Sequence, residues 1–164
     1  MAHDVRGEGV PEPELDGAGL RVAVVCGRFN SHVTLRLRDG VRRGLAAAGV
    51  ADDDVREEWV AGAFEIPLTA KAFAATGRWE AVVCIGCVIR GETAHFDFVA
   101  GQCAQGIQQV GLETGVPVVF GVLTTENLDQ ALERSEGAGG YNVGEEGAHT
   151  AVEMAKLLAS IRKG

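Results

Sequence analysis

No apolar run in this sequence approaches the roughly 20 residues that cross a bilayer, so no helical membrane span is expected. The first residues also lack the basic and apolar regions of a secretory signal. Positive charge is scarce, with 15 Lys and Arg against 23 Asp and Glu and a formal net charge of −8. An acidic surface attracts neither nucleic acid nor an anionic membrane, so neither is expected as a partner. An anionic substrate therefore needs a locally positive site. Cysteine is sparse, and all 4 residues sit inside apolar runs. That is the usage of small buried hydrophobes in a reducing, cytoplasmic setting, not of a disulfide framework. Cys84 and Cys87 form a C-x-x-C, but residues three apart on an extended strand point to opposite faces, which suits neither chelation nor a disulfide. His3, His32 and His149 stand in separate segments without partners at ligand spacing, so no metal site is expected. Gly27 and Gly44 do not assemble a G-x-G-x-x-G after the first apolar run, which argues against a dinucleotide site.

What is present is the composition of a compact globular protein: 164 residues, 46% hydrophobic, with 23 glycines to serve tight junctions. Residues 1–19 carry glycine, proline and acid without periodicity, so they are expected to form a flexible extension, ordered only against a neighbour. Residues 20–164 read as a single domain. Apolar, β-branched runs at 20–26, 55–60, 81–89 and 116–123 read as strands buried on both faces. Each is followed by a helical pattern. Val33, Leu37, Val41 and Leu45 fall four apart before Gly49, and residues 66–76 follow with Pro67 in the first turn. Phe96, Val99, Cys103, Ile107 and Val110 make the third stripe. Residues 128–134 form a short helix, 135–144 a glycine-rich break, and 145–162 a final helix. Strand–helix alternation of this kind predicts a parallel sheet with helices on both faces and ligands at the carboxyl ends of the strands.

The junction at residues 86–98 organises the rest. A buried strand ends there in Arg90-Gly91-Glu92, and Thr93 reads as the N-cap of the next helix, with Asp97 in its first turn. Free backbone N–H groups beside Glu92, Thr93 and Ala94 favour an anion, and His95, a residue type suited to proton transfer near neutrality, stands next to them. The other junctions bring Arg28, Phe29 and Asn30, then Ala63, Phe64 and Glu65, then residues 120–127 to the same edge. Each of these has a plainer role available. Phe29 suits a hydrophobic staple, Glu65 a first-turn carboxylate, His95 an ordinary helix-start histidine and Arg134 a cation near a helix end.

Taken together they are more specific. Arg28-Phe29-Asn30, Gly62 to Pro67, Gly86 to Phe96, Gly121 to Asn127 and Ala131 to Arg134 resemble, in order, the motifs of the lumazine synthase family, and the likeness runs from about residue 20 to the C-terminus. The resemblance implies a flavodoxin-like α/β/α sandwich of three layers around a four-stranded parallel sheet. It implies condensation of 5-amino-6-(D-ribitylamino)uracil with 3,4-dihydroxy-2-butanone 4-phosphate to 6,7-dimethyl-8-ribityllumazine, phosphate and water, the penultimate step of riboflavin biosynthesis. No cofactor is implied. Phe29 would stack on the pyrimidine, with backbone groups of Asn30, Val88 and Ile89 at its polar edge. Ala63, Phe64 and the Glu65 carboxylate would hold the ribityl chain, and Glu92, Thr93 and Arg134 the phosphate. His95 would move protons, and Phe120 and Arg134 would come from an adjacent subunit of a pentamer, decamer or 60-subunit shell. Asn142-Val143-Gly144 departs from the family's usual Asn-Lys-Gly, and residues 135–142 are about one residue longer than in common relatives. That departure keeps two alternatives in view: a catalytically weak flavin- or pteridine-binding paralogue and a shell-forming structural protein.

Overall fold

The computed structural model describes residues 4–164, so His3 lies outside the described residues. Four parallel strands, β1 (Val22–Gly27), β2 (Val55–Val60), β3 (Ala81–Ile89) and β4 (Val118–Thr125), form one sheet in the order β2-β1-β3-β4. Helices α1 (Ser31–Ala47), α2 (Ile66–Ala74), α3 (His95–Thr114), α4 (Leu128–Glu133) and α5 (Val143–Lys163) complete the chain, with short 3-10 turns at Asp52–Asp54 and Ala63–Glu65. No helix of the described residues is long and apolar enough to cross a membrane.

The sheet has two apolar faces and each makes its own core. On one, Val22, Val24, Val83 and Ile85 pack under Val33, Leu37, Val41 and Leu45 of α1 and Ala148, Ala151 and Val152 of α5. On the other, Ala23, Val25 and Val82 meet Ile66, Ala70 and Phe73 of α2 and Cys103, Ile107 and Val110 of α3. This is the expected three-layer α/β/α sandwich, because a strand with both faces buried must be covered twice. Close helix packing over the second face needs Gly106, where a Cβ would come within 2.8 Å of the Pro67 ring.

Several boundaries differ from the sequence reading. β4 begins at Val118 and runs on to Thr125 because all eight of its residues pair with β3. α3 starts at His95 after Ala94, so Thr93 is not its N-cap, and the Thr93 Oγ1 accepts instead from the His95 N–H at 3.3 Å. α5 starts at Val143 because the buried Asn142 caps it, its Oδ1 accepting from the N–H groups of Gly144 at 2.9 Å and Glu145 at 3.2 Å. The end of the N-terminal extension is held by the chain itself. Gly17 N–H donates to the Ala48 carbonyl at 2.6 Å, and Leu15 packs against the α1/α5 core.

Candidate active site

A strand order of β2-β1-β3-β4 reverses direction between β1 and β3, and parallel α/β sheets open a crevice at such a point beyond the strand ends. Asn30 spans it. It is the one non-glycine among the described residues with positive φ, at 57°, and its Nδ2 donates to the Cys87 carbonyl of β3 at 3.0 Å. Asparagine tolerates the left-handed region better than other side chains, so the turn out of β1 can tighten without glycine.

Beyond this bridge lies a cleft of about 650 Å³, lined by Phe29, Ala63, Phe64, Glu65, Val88, Ile89, Thr93 and His95, with Phe96, Phe98 and Val99 behind them. Phe29 is 73% exposed, so it is not a staple, and its ring stands free at the mouth. Phe64 is also exposed. The Glu65 carboxylate keeps its plainer role as well, since Oε2 accepts from the Gly62 N–H at 3.0 Å and fixes the 3-10 turn. His95 is exposed in the first turn of α3. Glu92 is exposed in the turn just before Thr93, beside the cleft.

Two predicted residues lie elsewhere in the same chain. Phe120 pairs with Cys84 midway along β4 and lines a different groove, on the outer edge of that strand with Leu112 and Met154. Arg134 caps the end of α4, its Nη1 donating to the Gln130 carbonyl at 2.8 Å, which is the helix-end role its position suggests. Val143 packs against the α1/α5 core and its N–H donates to the Arg134 carbonyl at 3.0 Å.

The sequence reading missed the ion network on Arg90. Its Nε donates to Glu126 Oε2 at 2.8 Å and its Nη1 to Asp97 Oδ1 at 3.2 Å, while the guanidinium lies 4.2 Å from the Phe96 ring centroid. These partners sit up to 36 residues apart, beyond any local pattern. Cysteine supplies no nucleophile here. Cys84 packs toward α2 and α3 and Cys87 toward α1 and α5, on opposite faces as expected. Burial pushes the Cys87 thiol up to about 11 and those of Cys26 and Cys103 up to about 12. All three therefore stay protonated at neutral pH.

An aromatic ring at the mouth, backbone N–H groups at a helix start and an imidazole lining the same cleft suit a protein that binds a flat polar heterocycle beside an anion and moves protons. Fold and site thus define an α/β enzyme of small-molecule metabolism with its pocket at the strand ends. Residues 19–159 match the family model of 6,7-dimethyl-8-ribityllumazine synthase, and the chain belongs to that family. Its activity is accordingly that of a transferase in riboflavin biosynthesis.

Proposed function

We propose that this cleft condenses 5-amino-6-(D-ribitylamino)uracil with 3,4-dihydroxy-2-butanone 4-phosphate. The observation that carries the reading is the convergence of Phe29, Glu65, Val88, Ile89, Thr93 and His95, from three separate strand ends, on one cleft. The pyrimidine stacks on Phe29 against the backbone of Asn30, Val88 and Ile89, and the ribityl chain runs past Ala63 and Phe64 to the Glu65 oxygen not engaged by Gly62. The N–H groups of Glu92 and Thr93 take the phosphate at the start of α3.

The 5-amino group adds to the ketone and water leaves as the imine forms. Removal of a proton from the adjacent carbon expels phosphate, and the resulting enol becomes a carbonyl. The ribityl-bearing nitrogen closes on it with loss of a second water. Every step moves protons and none needs a protein nucleophile, so a positioned His95 and oriented substrates suffice. The flanking N–H groups stabilise the leaving phosphate.

The site is completed by a second copy of the chain. Phe120 is 44% exposed on the unpaired edge of β4, beside a groove of about 720 Å³ whose walls include Leu112, Val118, Met154 and Leu158. Exposed apolar surface of this kind on an open strand edge favours association. A neighbour docked there brings Phe120 and Arg134 to the cleft in a pentamer or a multiple of it. Arg134 supplies the permanent cation that an acidic protein needs against a phosphate.

Mixing the purified protein with the two substrates tests the reading, with the lumazine chromophore and free phosphate as readouts. Both are expected in equal amounts. No product, combined with tight riboflavin binding, would leave a paralogue that kept the pocket and lost the chemistry.

A further inference from the structure

The turn of residues 91–94 is thinly held for a segment that must present backbone donors. All four residues are exposed, and a Cβ at Gly91 would meet nothing within 4 Å. What ties the turn down is at its two ends. Arg90 leaves β3 with its N–H on the Thr125 carbonyl at 2.8 Å, and its side chain then crosses to both neighbouring elements. Nε reaches Glu126 just past β4 at 2.8 Å, and Nη1 reaches Asp97 Oδ1 and Oδ2 in the first turn of α3 at 3.2 Å and 3.4 Å. The guanidinium also covers Phe96, the residue after His95, at 4.2 Å.

We propose that Arg90 is a positioning residue that braces the turn across Glu126, Phe96 and Asp97, so that its N–H groups and His95 face the phosphate-bearing substrate without Arg90 itself binding phosphate. The proposal rests on the phosphate placement given above. One guanidinium is already engaged by two carboxylates, which leaves it little capacity to serve a phosphate as well. Its fork geometry, by contrast, suits two carboxylates and a ring at once, which an ammonium cannot reproduce. The network is solvent-exposed, so its loss is felt locally and not in global stability.

Steady-state kinetics of the intact protein with Arg90→Lys and Glu126→Gln decides between brace and ligand. Arg90→Lys is expected to raise KM for the butanone phosphate about fivefold or more, with KM for the ribitylaminouracil within about twofold and melting unchanged. Glu126→Gln is expected to raise the same KM about threefold or more, because one arm of the brace is weakened. A direct phosphate ligand behaves the opposite way, since neutralising its carboxylate partner strengthens it. A KM that falls in Glu126→Gln, or stays at the wild-type value in Arg90→Lys, overturns the brace. Inorganic phosphate titrated against the His95 ring signals gives the same comparison without turnover, with weaker binding expected in both variants. If the wild-type protein makes no lumazine, the functional reading fails and this titration still decides the brace. Wild-type protein whose His95 signals ignore phosphate overturns it.

Discussion

In the proposed mechanism His95 carries the most chemistry with the least structural duty. Its side chain is exposed, and the bond that anchors its position, from its backbone N–H to Thr93 Oγ1, does not involve the imidazole. Substituting His95→Ala is therefore expected to lower kcat by about 10²- to 10⁴-fold, the usual worth of a positioned acid–base group, while the melting temperature and the oligomer stay as they are. Turnover and a thermal melt on the same sample check both halves. The thiols make the complementary case of residues with structural duty and no chemistry. Desolvation raises Cys26 from 9.0 to about 12 and Cys87 to about 11, so the folded protein holds these protons more tightly than the unfolded chain does. Their contribution is complete below pH about 9, where both states are protonated. It declines as pH rises through the folded values, because the unfolded chain has already ionised. Native protein at pH 8 is expected to resist an aromatic disulfide reagent, with all 4 thiols reacting once denaturant is added. Reaction of a native thiol within minutes would contradict the packing.

Among the elements, α5 depends on one side chain. Besides capping the helix, Asn142 sends Nδ2 to the carbonyls of Glu136 at 2.8 Å and Arg36 at 3.1 Å, so the same residue closes the glycine-rich loop and ties α5 to α1. Asn142→Ala removes the cap and takes the donor from two part-buried carbonyls, a loss of roughly 1–3 kcal/mol, to be read from urea denaturation. This helix also marks where legibility in the sequence ended. The apolar stripe Val33, Leu37, Val41 and Leu45 was readable because burial by one face imposes its own period, and all four side chains are buried. The start of α5 was not, since a cap whose other bonds reach 106 residues back to Arg36 leaves no periodic trace. The cleft was legible as a set of motifs at strand ends, and Phe29, Glu65 and His95 do line it. The Arg90 brace was hidden for the reason that Asn142 was. Its partners Glu126, just past β4, and Asp97, on α3, are brought together by the fold and not by a shared period.

The whole molecule is a doubly covered sheet with an open β4 edge and a cleft that lacks two of its expected groups. Arg134 lies at the end of α4 and Phe120 midway along the edge strand β4, so the proposed site draws them from a second copy. Arg134→Ala should raise KM for the butanone phosphate about tenfold or more, the loss of one charged hydrogen bond of roughly 1.5–3 kcal/mol. If only the KM for the ribitylaminouracil moved, the phosphate would belong elsewhere. In the proposed function the junction of residues 86–98 is half of a site, with its strand wall, donor turn and histidine in one chain and its cation in another. Co-expressing His95→Ala chains with Arg134→Ala chains and assaying the purified mixed oligomers at butanone phosphate well below the wild-type KM, where each variant alone is slow, tests this most directly. Shared sites predict recovered turnover, because some interfaces pair an intact His95 with an intact Arg134. Turnover no higher than that of either variant alone, in oligomers shown to contain both chains, would contradict it.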